Sequence, residues 1–340
     1  MRKTFILIAI IGLVMVSFST SVFAASIAFP SPSGANKLED EFTADGKNDD
    51  KKAEKKADKK DIAISVATKT EYKAISHTSS IKHEGKVYMN AVADDIFTIQ
   101  AGLNYETKVG TTSESEKWEM ENMWLQGKIS RDMVLRYGRQ TYHLAKGIFM
   151  DQDGVLGGRM ICKLDEKNTA ETFIGRDSQD VSVTSSVKNT EIELVEVLNF
   201  THKFDKGVTL GSYVAKQGTV NKFWAGYGKI EVAPKTNVNF EYVKNNYNSK
   251  KAYIAELQYG SNKKIGGATY ALEYMNFEKQ TFETNNYTDF DTQWSPKVGF
   301  KGPGAIINTR ISKAGTLQAQ QWWGQSGVGP ITKVTMVVRF

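Results

Sequence analysis

The feature that most constrains the fold is a two-residue alternation of apolar and polar side chains, which recurs along most of the chain. Residues 97–105 read Phe-Thr-Ile-Gln-Ala-Gly-Leu-Asn-Tyr, and residues 237–242 read Asn-Val-Asn-Phe-Glu-Tyr. Successive side chains of a β-strand point to opposite faces of the sheet, so each such segment predicts a strand with one apolar and one polar face. A soluble β-sandwich has the same alternation, and further features must decide between the two.

Three features favour a barrel that crosses a membrane. Segments of about ten residues suit a tilted transmembrane strand. Connections alternate between short turns and longer polar runs, the latter at 107–116, 142–154, 178–190 and 278–303, as in bacterial outer-membrane barrels. Tyrosines lie near the ends of the apolar stripes, as expected for an aromatic girdle; they are Tyr72, Tyr105, Tyr242, Tyr259 and Tyr274.

The segments predict an all-β fold, a transmembrane antiparallel β-barrel of about sixteen strands. The alternation is weak in the second strand and in residues 291–301, so the sequence also allows a barrel of fourteen or eighteen strands. An even number returns both ends of the chain to the periplasm. The predicted strands lie near 62–75, 85–92, 96–106, 117–129, 132–141, 155–164, 169–177, 191–202, 207–216, 220–232, 236–245, 251–260, 266–277, 304–312, 315–324 and 331–340.

The N-terminal part divides into two segments before the barrel, which we place at residues 61–340. Residues 1–24 have basic residues, then a short apolar run, then Val22-Phe23-Ala24, the plan of a secretory signal peptide. Residues 25–60 are densely charged and nearly devoid of apolar side chains, which predicts a disordered periplasmic segment. This segment is either a solvated linker or a contact to anionic peptidoglycan. Export and a barrel together predict the bacterial outer membrane.

Composition excludes several other classes of protein. The formal net charge of +6 falls to about +4 over residues 61–340, with no basic stripe, which argues against a nucleic-acid partner. A single cysteine, Cys162, excludes a disulfide framework. The histidines His77, His83, His143 and His202 have no metal-ligand spacing and no nucleophile motif beside them. We therefore expect no catalytic residues, no metal and no cofactor.

The C-terminal segment is the most specific local signal. Counting back from Phe340, alternate residues are Val338, Met336 and Val334, while Lys333 and Arg339 share the other face. A final strand that ends in phenylalanine resembles the targeting signal of outer-membrane barrels. The resemblance implies that the barrel-assembly machinery is a partner during biogenesis, with Phe340 as the targeting residue.

A second resemblance covers roughly residues 121–164. A strand, the turn Arg131-Asp132 and a second strand that ends in Gly138-Arg139-Gln140 precede a long connection. This arrangement is similar to that of the general Gram-negative porin family, in which the loop after the fifth strand folds into the barrel and narrows it. The resemblance implies that residues 142–154 are a constriction loop, that the protein is a homotrimer surrounded by outer-membrane lipid, and that small hydrophilic solutes and ions diffuse passively through it.

Charged residues of the predicted lumen follow from the same comparison. We expect opposed acidic and basic groups to set a transverse field across the pore. Arg139 would face outward unless its strand bulges, and each of these charges is either a selectivity determinant or an ordinary polar residue of the lumen. The expected constriction and lumen residues are Arg136, Arg139, Asp151, Asp153, Arg159, Lys163 and Arg310.

Three other functions remain open at this point. A substrate-selective channel would share the architecture but bind one class of solute. An outer-membrane enzyme on a barrel would need a convergent His/Ser or His/Asp site, and only His143 near Asp151 and Asp153 offers a cluster. A barrel that tethers the outer membrane to the cell wall through residues 25–60 would be compatible with a pore.

Overall fold

The computed structural model of this protein is a closed, antiparallel barrel of sixteen β-strands. It describes residues 62–75, 78–92, 96–110, 114–176, 194–205, 207–219, 221–282, 299–324 and 330–340. The predicted signal peptide, the charged segment 25–60 and the connections 178–190 and 283–298 lie outside these residues. No helix in the described part of the chain is long and apolar enough to cross a membrane.

The strands follow one another around the barrel in chain order, and β1 closes the sheet by pairing with β16. The predicted strand number of sixteen is confirmed. The strands are β1 Ile62–Ile75, β2 Thr78–Val92, β3 Phe97–Gly110, β4 Glu114–Ser130, β5 Met133–His143, β6 Asp151–Lys163, β7 Asn168–Arg176, β8 Leu194–Lys203, β9 Val208–Gln217, β10 Asn221–Ala233, β11 Thr236–Asn245, β12 Lys251–Gly260, β13 Ala268–Phe277, β14 Phe300–Arg310, β15 Gly315–Trp322 and β16 Ile331–Arg339.

Two predicted loops are shorter than expected. The connection placed at 107–116 is mostly strand, because Thr107 pairs with Glu116 and Lys108 with Ser115 in a continued β3–β4 hairpin. The connection placed at 142–154 is reduced to 144–150, because β6 begins at Asp151. In both places polar side chains suggested a loop, whereas backbone pairing continues irrespective of side-chain polarity.

The two faces of the sheet differ as the alternation predicts. In β12, Ala252, Ile254 and Glu256 are buried on the inner face, while Leu257 and Tyr259 are exposed on the outer one. The outer face carries many exposed large apolar side chains, among them Tyr72, Trp224 and Leu272. Closure leaves no free edge in the sheet formed by the described strands. A sheet surrounded by lipid must meet this condition, because lipid offers no hydrogen bonds to an open edge.

Short turns join the strands at one end of the barrel. In the turn between β6 and β7, the backbone N–H groups of Lys167 and Asn168 both donate to Asp165 Oδ1, at 2.8 Å. The Asn168 side-chain amide and the Lys167 N–H hold the pKa of the Asp165 carboxyl below its usual value. An aspartate that bonds the backbone two and three residues ahead is a common turn former, and it ends β6 at this point.

Gly138 in β5 is a glycine that the barrel requires. Its φ of +128° lies in a region that L side chains rarely adopt, and an added Cβ would lie 2.3 Å from the Met123 carbonyl oxygen and 2.8 Å from the Trp124 Cα.

We expect Gly138→Ala to destabilise the folded barrel by about 1–3 kcal/mol, measured as a lower denaturant midpoint of the refolded protein in detergent. Gly226→Ala is the matched control, because no atom lies within 4 Å of an added Cβ there; equal midpoints for the two variants would contradict the prediction.

Candidate functional site

The connection between β5 and β6, residues 144–150, crosses the interior of the barrel; we call it the inward loop. The Leu144 N–H donates to the Met150 carbonyl and closes the base of the loop, at 2.9 Å. Its Lys146 and Ile148 N–H groups donate to Glu241 Oε2, at 2.8 Å and 3.2 Å. Glu241 lies on β11, which β7 to β10 separate from β6 along the wall. The loop must therefore span the lumen to reach it.

Apolar side chains hold the inward loop against the opposite wall. Ile148 and Met150 are fully buried, and the Phe149 ring lies 5.0 Å from Phe223 and 5.6 Å from Phe282, measured between centroids. Burial of a phenylalanine side chain contributes about 1.5–3 kcal/mol. We call the set the apolar cluster; it includes Leu144, Ile148, Phe149, Met150, Val195, Val197, Tyr213, Phe223, Val243, Ile254, Met275, Phe277, Phe282 and Phe300. The apolar cluster has further members on β5 to β7 and at Ile331 of β16, so packed side chains occupy the part of the interior beside β5 to β14.

Two carboxylates of the opposite wall bind the loop. Glu241 is 1% exposed, and the Tyr213 hydroxyl donates to its Oε1 at 2.6 Å. Glu256 accepts from Lys146 Nζ at 2.9 Å and from the Asn239 amide at 2.6 Å. A buried carboxylate costs free energy unless hydrogen bonds satisfy it, and here the loop supplies several of them. Loop and wall therefore stabilise each other.

The backbone of the inward loop is shaped to present its N–H groups to Glu241. Ala145 has a φ of +54° and Gly147 a φ of +84°, and the Gly147 N–H donates to the Leu144 carbonyl at 2.9 Å. Consecutive residues in such turn conformations create a concave group of N–H donors that binds anions. The anion here is a carboxylate of the chain itself.

The inner face of β16 and β1 to β4 carries a continuous chain of ion pairs, which we call the lysine–glutamate ladder. Its members are Lys69, Glu71, Lys82, Glu84, Lys86, Glu106, Lys117, Glu119 and Lys333.

Glu84 is the centre of the ladder. Its carboxylate lies 2.6 Å from Lys82 Nζ, 3.6 Å from Lys69 Nζ and 3.7 Å from Lys86 Nζ, and its side chain is 1% exposed. Lys333 reaches Glu71 at 3.2 Å across the β1–β16 closure. Charges of both signs are therefore held in fixed positions over one sector of the inner wall.

Two arginines continue the charged wall on β5 and β6. Arg136 donates from Nε and Nη2 to Gln126 Oε1, and its guanidinium lies 4.3 Å from the centre of the Trp124 ring. Arg159 binds Glu171 through two hydrogen bonds of 3.0 Å and 3.2 Å. Both arginines, which we expected in the lumen, belong to side-chain networks of the wall.

The two predicted acidic residues of the constriction loop lie on β6 instead. Asp151 contacts the His143 ring nitrogen Nδ1 at 2.8 Å, and Asp153 accepts from the Thr141 hydroxyl at 2.7 Å. Both contacts are made to β5, the neighbouring strand, because Asp151 already pairs with His143 in the sheet. The structure thus assigns the polar contacts of the loop with the opposite wall to Lys146 and to backbone N–H groups.

The remaining predicted residues are not brought together. Lys163 ends β6 at the barrel end opposite the inward loop, about 40 Å along the strand from Asp151 at a rise of about 3.3 Å per residue. Arg310 ends β14 at the same end as Lys163, and its guanidinium donates to the Ser312 and Lys313 carbonyls of the following turn. Arg139 is 4% exposed and pairs in register with Met123, an exposed residue of the outer face.

Sequence reasoning missed the groups that anchor the inward loop. Lys146 carried no signal beyond its position in the predicted loop, and Glu241 and Glu256 were two of many polar residues on inward faces. Glu241 and Glu256 become recognisable only once the strand number is known, because that number decides which strands face the loop across the barrel. The ladder could have been suspected from the period-two charges Lys82, Glu84 and Lys86.

No cluster of three or more His, Cys, Asp or Glu side chains suited to a metal occurs within the described residues. Each histidine whose contacts are described bonds a wall or turn group: His83 contacts Thr70, His143 contacts Asp151 and Ala145, and His202 contacts Asn168.

No protein-family model matches the sequence, and no curated protein matches it. Solved structures do match the fold. A triple mutant of the Rhodopseudomonas blastica porin superposes with a TM-score of 0.55 at 8% sequence identity, over 82% of this chain and 100% of that chain. Another mutant of the Rh. blastica porin gives a TM-score of 0.56 at 7% identity with the same coverage. The chain has a porin-like fold.

This likeness concerns the backbone of the porin-like barrel. A third match, from a study titled "Asymmetric conductivity of engineered proteins", has a TM-score of 0.56 at 8% identity. At such low identity, individual residues of these proteins carry no information about individual residues here.

Proposed function

We propose that this protein is an outer-membrane porin, through which small hydrophilic solutes and ions diffuse passively. The observation that carries the proposal is the inward loop: it crosses the interior of a closed sixteen-stranded barrel and packs against the wall on the side away from the ladder. Barrels of sixteen strands leave an aqueous channel. A loop that fills one side of that channel sets an upper size for the solute, and the ladder sets its electrostatic preference.

The setting proposed for the pore follows from the sequence. Residues 1–24 act as the signal peptide for export, residues 25–60 form a charged periplasmic segment, and Phe340 contributes to recognition by the barrel-assembly machinery. The exposed apolar side chains of the outer face contact outer-membrane lipid or neighbouring subunits of a homotrimer. Peptidoglycan is a proposed partner of residues 25–60.

Planar-bilayer recording of the refolded mature protein tests the proposal. We expect discrete, long-lived conductance steps, because each inserted barrel adds one passage of fixed geometry. Reversal potential under a salt gradient then reports the ion preference. A barrel that folds, as judged by a heat-dependent shift in electrophoretic mobility, yet passes no current would overturn the assignment.

The apolar cluster favours a second candidate, a substrate-selective channel. Packed side chains beside β5 to β14 restrict solutes to the sector of the ladder, where the charges of Glu84 and its lysines lie at fixed positions. A solute that binds there would saturate the flux and block ion current at millimolar concentration. Linear flux with concentration for every solute tested would exclude this alternative and favour general diffusion.

A further inference from the structure

His143, the last residue of β5, contacts two hydrogen-bond acceptors. Its Nδ1 lies 2.8 Å from Asp151 Oδ1, and its Nε2 lies 2.8 Å from the Ala145 carbonyl oxygen. A carboxylate and a carbonyl accept hydrogen bonds, while a neutral imidazole has a single N–H to donate. While Asp151 is ionised, both contacts can be hydrogen bonds only when both ring nitrogens carry protons.

We infer that His143 is held as an imidazolium and that this cation positions the inward loop, which makes the loop pH-sensitive. The inference concerns the loop itself, and it rests on the proposed function only where ion flow is the readout. His143 is half-buried, with its side chain 31% exposed and that of Asp151 38% exposed. Water therefore reaches the pair, and the proton can exchange with solvent.

The bond to Ala145 acts on the strained part of the loop. Ala145 adopts a φ of +54°, a conformation that costs a residue with a side chain free energy. The His143 N–H holds the Ala145 carbonyl in that conformation. The next residue, Lys146, and then Ile148 donate their N–H groups to Glu241, so a change at Ala145 would misalign both donors.

Charged groups of the neighbouring elements enter the pH dependence. Asp151 of β6 contacts the ring and favours the imidazolium, Asp153 of the same strand bonds Thr141, and Lys146 of the loop is paired with Glu256 of β12. Glu241 of β11 responds to pH in the opposite direction from His143, because its carboxyl group accepts hydrogen bonds best when it is ionised. As the pH rises, loss of the His143 proton removes one of its two hydrogen bonds. As the pH falls, protonation of Glu241 weakens the acceptor of the Lys146 and Ile148 N–H groups. Loosening as the pH rises through the usual range of imidazole, which lies well below that of lysine, is therefore the sign specific to His143.

Nitrogen NMR of ¹⁵N-histidine-labelled protein in detergent micelles tests the protonation state directly. At about pH 6, close to the usual titration of imidazole, we expect both His143 ring nitrogens to be protonated, with conversion to one N–H at higher pH. His83 and His202 provide internal references, because each has one ring-nitrogen contact to a hydroxyl or amide group. A single neutral tautomer of His143 at about pH 5.5, where an ordinary imidazole is mostly charged, would overturn the inference.

Amide exchange of Lys146 and Ile148 tests the positioning role. In His143→Asn, we expect protection of these two amides to fall about tenfold, equivalent to about 1.4 kcal/mol. His143→Arg keeps a cation at every pH and should restore protection and abolish the alkaline loss seen in the wild-type protein. His202→Asn, a histidine change at the other end of the barrel, is the matched control.

Equal protection in His143→Asn and the wild-type protein, or an equal loss in His202→Asn, would contradict the positioning role. Single-channel recording then adds the functional consequence: excursions from the main conductance level should become about tenfold more frequent at alkaline pH, in proportion to the loosened population. A barrel that passes no current but shows the expected exchange pattern would refute the proposed function and leave the role of His143 intact. Conduction without the exchange pattern would refute only the role of His143.

Discussion

Replacing Phe149 with alanine is expected to free the inward loop from the opposite wall and raise the single-channel conductance. The Phe149 ring lies 5.0 Å from Phe223, 5.6 Å from Phe282 and 6.1 Å from Tyr213, and truncation would leave a cavity among these rings. A buried Phe→Ala change costs roughly 3–5 kcal/mol. That cost falls on the attachment of the loop, because the sixteen-strand pairing does not involve this side chain.

The size of the effect depends on which contacts survive. Glu241 and Glu256 would still bind Lys146 and the loop backbone, so we expect a loop that exchanges between attached and released positions, with a higher mean conductance and more current noise. Phe200→Ala is the matched control, because Phe200 is 42% exposed on the outer face of β8. An unchanged conductance in folded Phe149→Ala protein would mean that the inward loop does not limit the passage.

The strands could be predicted because their signal is local. Alternation reports which residues face outward wherever one face is apolar and the other polar, as in β11 and in residues 256–259 of β12. Local alternation fails near the inward loop. Ala252 and Ile254 of β12 face inward and are as apolar as their outward neighbours Tyr253 and Ala255, since they pack against the loop.

The contacts of the site could not be predicted because they are not local. The hydrogen bonds from Lys146 and Ile148 to Glu241 join residues 95 and 93 positions apart, and the Lys333–Glu71 pair exists only because β16 closes on β1. The charge pattern predicted inward positions for Arg136 and Arg159, but it carried no information on position along the barrel axis. For that reason Lys163 and Arg310, at the far end, were grouped with Asp151.

Glu84→Gln is expected to shift the ion preference of the channel toward anions. The substitution removes the carboxylate that three lysines share, at 2.6 Å, 3.6 Å and 3.7 Å, and keeps the size of the side chain. One elementary charge about 4 Å from a permeating ion changes its energy by about 1 kcal/mol in water. The energies of a cation and an anion change in opposite directions, so their difference changes by about 2 kcal/mol and the anion-to-cation permeability ratio should rise roughly thirtyfold, and more where the wall excludes water.

The barrel should fold despite the change, because the ladder retains other pairs. Lys69 keeps Glu71 at 3.3 Å, and Lys82 keeps Glu106 at 2.9 Å. Reversal potential in a salt gradient measures the ratio, and Glu196→Gln supplies the same change in net charge from the opposite face of the sheet, where Glu196 lies 3.9 Å from Lys216. Because only charges beside the permeating ions act strongly through solvent at physiological salt, Glu196→Gln should leave the ratio unchanged. If the permeability ratio rose equally in both variants, ions would sense the total charge of the protein. If the ratio did not change in Glu84→Gln, the passage would lie away from the ladder.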